Sequence, residues 1–415
     1  MVLLLVRFRL LLLGGLLLSS LVARAQTDSL MTSPALPPRV VAPPGVAQKD
    51  IGDMIEQFFP RLHSGRRDTV TLEDGHKFVS IIPVIGYTLQ THLLFQVAGN
   101  VAFQQADANM STLVSAVAVT MNKQVILTAT SSVWTPGNKI NWIGDWRLMH
   151  YPQRTYGLGM HTTTQQSTSM DFEYLRVYQT MLRRLLPNIY GGLGYHLDYH
   201  WNIESTRADQ EVHYISRYRR GVTGSSISSG VAVNLLYDSR GNAINPQGGA
   251  YVNVLYRPNL TLLGSDTNYQ MLLLEFRKYL HLRPQSNNIL ALWSYNAITV
   301  HGTPPYLDLP STGWDTYSNL GRGFIQGRFR GKNLLYTEAE YRFGITRNRL
   351  LGGVVFTNAQ TVAEPVTNRF DRIVPAAGLG LRLTMNKLSR TNLAIDYGFG
   401  GDGSKALTFN VGEVF

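Results

Sequence analysis

From Ile189 to Asn202 the side chains change character at every step. Ile189, Gly191, Leu193, Tyr195, Leu197, Tyr199 and Trp201 share one parity, and Gly192, Gly194, His196, Asp198, His200 and Asn202 share the other. Successive side chains of a strand point to opposite faces, so this stretch has one apolar face and one small or polar face. Leu393, Ile395, Tyr397 and Phe399 repeat the pattern opposite Asn392, Ala394, Asp396 and Gly398, as do Leu379, Leu381 and Leu383 opposite Gly380, Arg382 and Thr384. Lipid outside and water inside sort residues in this way.

Sixteen such segments start near 79, 92, 111, 124, 139, 171, 188, 228, 249, 268, 288, 333, 349, 375, 390 and 405. An even count suits a closed barrel whose termini lie on one side. Residues 78–415 provide about 21 residues per strand and connection, room for a membrane strand of ~9–11 residues and a loop. The expected fold is all-β, a 16-stranded antiparallel transmembrane β-barrel. Connections after odd strands include long segments near 152–169, 204–226 and 301–332, whereas Leu186-Pro187-Asn188 and Asn386-Lys387-Leu388-Ser389 are short. Outer-membrane barrels carry long loops outside and short turns in the periplasm. The expectation is therefore the outer membrane of a Gram-negative (diderm) cell, with both mature termini periplasmic.

The composition agrees with this reading. Charged residues are 16%, with 38 Gly and 21 Tyr, and mean hydropathy is close to zero. A helical membrane protein would be more hydrophobic. Arg7 and Arg9, an apolar run from Leu10 to Val22, and Ala23-Arg24-Ala25 have the layout of a cleavable secretory signal, giving a signal peptide over 1–25. Beyond it no segment offers the ~18 apolar residues of a spanning helix. The absence of cysteine excludes disulfides, Cys-ligated metals and a lipoprotein anchor. Without Arg7, Arg9 and Arg24, 35 basic residues face 27 acidic ones. They are scattered rather than clustered, which points to a cationic lumen or to contact with lipopolysaccharide and lipid head groups, not to nucleic acid.

Residues 26–77 form the expected periplasmic tether, Pro-rich through PALPPRVVAPPG. Within it Ile51, Met54, Ile55, Phe58 and Phe59 recur at helical spacing before Pro60. Two placements suit such a helix, against the barrel mouth or on the membrane surface. Residues Arg61 to Gly75 are polar and read as irregular.

No enzyme motif is present. There is no Gly-x-Ser-x-Gly elbow, His-Glu-x-x-His or Walker loop. His196 and His200 share a strand face but stand about 13 Å apart at ~3.3 Å per residue, too far for one metal ion. Neither a metal nor a cofactor is expected.

Gly321 to Phe343 reads GRGFIQGRFRGKNLLYTEAEYRF. It resembles the sixth extracellular loop and twelfth strand of the BamA/TamA (bacterial surface antigen) superfamily of outer-membrane β-barrels. Arg322, Gly323 and Phe324 stand at its Arg-Gly-Phe positions, and Glu338, Glu340 and Arg342 alternate along the strand that follows. The resemblance implies a loop arginine folded back into the lumen to meet acids on the wall. The family usually carries Phe-x-Asp-x-Gly on the thirteenth strand, where this chain reads Phe356-Thr357-Asn358-Ala359-Gln360. Asn358 offers only a neutral amide, leaving Glu338, Glu340 or Asp396 as anionic partners and implying weaker loop docking than in the family.

Asp238, Arg240 and Asn242, followed by Pro246 and Gly248, resemble the turn joining the eighth and ninth strands of that superfamily, and such residues are turn formers in their own right. Gly86-Tyr87-Thr88 and Tyr156-Gly157-Leu158-Gly159 match its strand ends, so the resemblance spans 78–415. The chain ends on an alternating strand, Leu407 to Phe415. In the family, and in outer-membrane barrels generally, a terminal Phe belongs to the signal that the assembly machinery reads.

Closure is expected to pair the first strand, Val79 to Tyr87, with the last, Lys405 to Phe415. Pro83 removes a ladder donor and Gly412 weakens the last strand, a pattern that suits either a weak seam or mere bulge and edge geometry. Family insertases are thought to admit client strands there. They carry polypeptide-transport-associated domains ahead of the barrel, for which the Pro-rich residues 26–77 offer no match. Three functions remain open: a reduced barrel that helps insert or translocate proteins, such as unfolded outer-membrane proteins, or lipids; a loop-plugged passive channel; and a structural surface barrel.

Overall fold

The structure is a computed structural model that describes residues 46–58, 77–88, 90–105, 107–205, 218, 220–283, 286–364, 367–387 and 389–415. The expected signal peptide, the tether up to residue 45, Phe59, Pro60 and the Arg61 to Gly75 segment lie outside these residues.

One helix, α1 (Ile51–Phe58), precedes the strands β1 (Lys77–Thr88), β2 (His92–Gln104), β3 (Met110–Thr120), β4 (Val125–Trp134), β5 (Ile140–His150), β6 (Gln153–Thr155), β7 (Thr168–Leu186), β8 (Ile189–Ser205) and β9 (Gly224–Asp238). Then come β10 (Gly249–Asn259), β11 (Tyr269–His281), β12 (Ile289–His301), β13 (Asn333–Gly344), β14 (Leu351–Ala363), β15 (Val374–Asn386), β16 (Thr391–Gly400) and β17 (Lys405–Val411). Sixteen are wall strands, each pairing antiparallel with its neighbour in chain order. The seventeenth, β6, was not expected. It is a three-residue ribbon on the extension of β7 within the connection that leaves β5, too short to carry an alternation.

Exposure follows the parity read from the sequence. On β8, Leu193 and Tyr195 face outward while His196, Asp198 and His200 are buried. On β15, Leu379 and Leu381 are exposed and Arg382 is buried. Charge therefore collects in the lumen and hydrocarbon on the outer face.

The seam departs from expectation. Among the described residues no ladder joins β1 to β17; β1 pairs only with β2, and β17 only with β16. The two ends of the sheet still meet, since a β-carbon on Gly86 would lie 3.2 Å from Phe409 Cδ2. Pro83 sits in the middle of β1 opposite Val97 and has no N–H to offer a partner on either side. Gly412 sets where the last strand stops. Its φ of +98° lies where a side chain is strained, and there the chain turns out of the wall, so β17 ends at Val411.

Beyond that bend Val414 and Phe415 enter the lumen and are buried. Phe415 stacks on Trp293 of β12 with ring centroids 5.2 Å apart, and Arg342 of β13 donates to its carbonyl at 2.8 Å. Phe415 is thus not a seam residue. The turn between β9 and β10 reaches this tail from another part of the wall, with Glu413 N donating to Ile244 O at 3.0 Å. The connection 302–332 also folds into the lumen, between cavities of about 520 and 350 Å³.

Candidate functional site

Arg322 lies deep in the barrel at the inner turn of the 302–332 loop. Its guanidinium donates to Asp396 on β16 at 2.8 Å, and to Glu338 and Glu340 on β13. Period two places Glu338, Glu340 and Arg342 on one face of β13, so a single strand presents an acid, an acid and a base in line. Arg342 donates to Glu340 at 2.6 Å. Arg382 on β15 donates to Asp396 at 2.6 Å and to Glu413 of the tail at 2.7 Å. The cluster holds three arginines and four carboxylates, all essentially withdrawn from solvent. Burial weakens screening, so such pairs are strong when complete and costly when broken.

The ring of Phe356 on β14 supports the guanidinium, whose carbon lies 3.8 Å from the ring centroid. Asn358 does not touch the guanidinium as the sequence had suggested. Its amide donates to the Arg322 carbonyl at 2.9 Å, holding the loop by its main chain. Phe324 is buried edge-on to Phe329, with centroids 5.5 Å apart.

Glycines on the wall make room for this turn. Gly323 has φ +101°, and a β-carbon there would lie 3.0 Å from Ala376 Cβ. A β-carbon on Gly398 would lie 2.7 Å from Gly323 Cα, and one on Gly400 would lie 2.6 Å from the Phe324 ring. The loop backbone therefore rests on β16 where side chains are missing. Gly398→Val is expected to lift the loop and cost roughly 1–3 kcal/mol through overpacking. Urea unfolding in lipid vesicles measures this, and a midpoint equal to the parent's would disprove the close contact.

A second set of contacts pins the outer part of the loop. Arg147 on β5, paired with Asp145 at 2.9 Å, donates to the Thr316 carbonyl at 2.8 Å. Arg330 of the loop donates to the carbonyls of Tyr306 and Leu307 at 2.9 and 3.1 Å. Asp198 on β8 is the hub of a further network, accepting from Arg257 at 2.7 Å, Arg176 at 3.1 Å and the hydroxyls of Tyr174 and Tyr178. His196 and His200 stack on Tyr178 and Tyr174 with centroids 4.0 and 4.2 Å apart. Parity places Asp198 on the lumen face but does not name its partners, whose signal is the same parity on β7 and β10.

A model of the Omp85 superfamily domain matches residues 120–415. The chain belongs to the Omp85 superfamily. Among solved structures, this Omp85 barrel is similar to BamA from Haemophilus ducreyi lacking POTRA domains 1-3, with 17% identity and a TM-score of 0.51 over 80% of this chain and 69% of that one. It is also similar to CdiB from Acinetobacter baumannii, with 11% identity and a TM-score of 0.52 over 81% of this chain and 59% of that one. At these identities the likeness is one of fold. No curated protein sequence matches the chain. Superfamily membership makes it an outer-membrane barrel, the placement that the Arg-Gly-Phe resemblance implied.

The turn motif of this Omp85 barrel is built as turn chemistry requires. Arg240 grips Asp238 through two bonds of 2.9 and 2.8 Å, and Asn242 Oδ1 accepts from the amides of Ile244 and Asn245, both at 2.8 Å. Pro246 is buried, and Gly248 has open space where a side chain would stand. The Asn242 amide lies 3.4 Å from the Ser389 carbonyl, which brings this turn to the one joining β15 and β16.

Asp308 is expected to make loop docking depend on pH. Its carboxyl accepts from Ser228 and lies 3.7 Å from His200 Nδ1. Burial above all, then repulsion from Asp198, pushes it from 3.8 up to about 7, against the pull of Ser228, Arg257 and Arg176; Tyr218, Tyr269 and Arg330 are its other charged or titratable neighbours. Between these two values the docked loop holds a proton that the released loop gives up, so docking strengthens as pH falls from 7 towards 4. Protease cleavage of the loop should accordingly slow from pH 8 to pH 5. Asp308→Asn should flatten that dependence, and an unchanged slope in the variant would exclude Asp308 as its source.

Proposed function

We propose that this barrel assists insertion or translocation of polypeptides, or of lipids, at the outer membrane through the gap between β1 and β17. The observation that carries the reading is the unladdered seam: β17 is seven residues long and its continuation is turned into the lumen. Two strand edges with free N–H and C=O groups form a template on which an incoming strand can pair. Unfolded outer-membrane proteins fit this chemistry, because their strands need such partners. Lipopolysaccharide and lipid head groups would meet the outer surface. The assembly machinery would read the C-terminal strand before folding, since the folded barrel buries Phe415. Both mature termini would be periplasmic, the side of the short turns.

The test is the folding rate of an unfolded outer-membrane protein into liposomes that contain the purified barrel, beside liposomes holding an unrelated 16-stranded porin. Acceleration is expected, and it should vanish when a disulfide ties Gly86→Cys to Phe409→Cys, where the two ends of the sheet meet. Equal rates in the two preparations would overturn the proposal.

A second reading rests on the occupied lumen. A loop clamped by Arg322 and Arg147 between two cavities is also the arrangement of a plugged passive channel. Conductance that rises sharply on deleting residues 304–331, without any acceleration of client folding, would favour it.

A further inference from the structure

We propose that α1 is a membrane-interface helix, lying with its apolar face on the lipid leaflet at the short-turn end of the barrel. Its start is fixed by a reciprocal cap, in which Asp53 N donates to Asp50 Oδ1 at 3.0 Å and Asp50 N to Asp53 Oδ2 at 2.8 Å. At 3.6 residues per turn, Ile51, Met54, Ile55 and Phe58 share one face, with Asp53, Glu56 and Gln57 opposite.

The polar side grips the barrel. Lys387, in the turn between β15 and β16, places its ammonium 2.9 Å from Asp53 and donates its backbone N–H to Asp50 at 3.1 Å. Lys49 N donates to the Asn348 carbonyl, in the turn between β13 and β14, at 3.0 Å, and Lys49 Nζ donates to Gln57 at 3.2 Å. On the apolar side Ile55 and Phe58 are exposed by 46% and 67%, while Ile51 and Met54 are partly buried. An amphipathic helix on a water-soluble core is oriented the other way, stripe inward and charges outward.

This inversion makes sense where the surroundings are apolar. Both gripping turns border the lipid-facing surface of the barrel. Ile345 and Leu351 flank Asn348 and are exposed by 52% and 36%, and Leu379 and Leu381 stand on the outer face of β15. Ile55 and Phe58 on a helix held at these two turns would extend that belt, which commits the occupant to the boundary between head groups and acyl chains. Eight residues bind lipid weakly alone, but attachment to an embedded barrel makes the contact intramolecular. Because Asp50, Asp53 and Glu56 make the helix acidic, the contact is apolar and does not require anionic lipid.

The chain contains no cysteine, so single labels report cleanly. The full chain is folded into phosphatidylcholine nanodiscs, which expose both membrane faces, with an environment-sensitive fluorophore on Phe58→Cys or on Gln57→Cys. Ile55→Cys serves as a second apolar-face site, and heat-modifiable migration verifies that each variant is folded. Doxyl-labelled lipid is expected to quench the labels at 58 and 55 several-fold more than the label at 57, and aqueous iodide to do the reverse. Equal iodide quenching at all three sites, a helix lying in water, would overturn the proposal. So would labels at 55 and 58 shielded from both quenchers, a helix covered by protein.

Discussion

Arg322→Ala is expected to release the 302–332 loop from the lumen and to lower the stability of the barrel by about 3–5 kcal/mol, the cost of leaving buried charge without its partner. The remaining cations do not cover the loss equally. Arg342 and Arg382 still reach Glu340, and Arg382 still reaches Asp396. Glu338 keeps only the Tyr336 hydroxyl. The damage should therefore concentrate on Glu338, and Arg322→Met combined with Glu338→Gln should recover part of it. Arg322→Lys should fail nearly as badly as alanine, because an ammonium lacks the planar fork that reaches Asp396 and Glu338 together and stacks on Phe356. Urea midpoints in lipid vesicles and protease cleavage of the loop measure both effects. Parental values for Arg322→Ala in both assays would refute the clamp.

The second large effect is expected at the tail. Phe415→Ala removes a ring packed on Trp293 and near Tyr279, and truncations of this kind cost ~3–5 kcal/mol. It also weakens the hold on a tail that otherwise keeps polar contacts, among them those of Arg342 and Asn319 to its end, of Arg382 and Asn392 to Glu413, and of Glu413 N to the Ile244 carbonyl. Phe415→Tyr should retain most of the stability because the ring stays. A loss below ~0.5 kcal/mol for the alanine variant, the range of ordinary surface changes, would mean that the tail is not anchored in the lumen.

The wall was legible because a membrane strand is a local object. Parity along Ile189 to Trp201 is dictated by lipid on one side and water on the other, and no distant residue is needed to read it. Strand starts consequently fell within a few residues of their positions, the largest offset being 228 against Gly224. Arg322, Glu338, Glu340 and Asp396 could be named as a group because the loop motif carried the pairing and parity placed the acids inward. Contacts that depend on where the chain goes were not legible. Gly412 reads in sequence as a weak strand residue, and only its positive φ reveals a bend that sends Phe415 to Trp293. Asn358 reads as a poorer partner for a cation, yet its donor finds a carbonyl. Arg147 reads as one more lumen residue, and its bond to Thr316 spans 169 positions.

The order of the Arg322 contacts along the chain bears on how the barrel is assembled. Glu338 and Glu340 follow the arginine by 16 and 18 residues, Asp396 by 74. Short loops close at lower entropic cost, so the turn and β13 are expected to form a charged hairpin early, against which the wall from β14 to β16 is then laid. Pulse-labelling hydrogen exchange during refolding would contradict this if β16 gained protection before β13. A plug that joins its own neighbouring strand first becomes the former around which the last four strands are wound, rather than a stopper fitted afterwards.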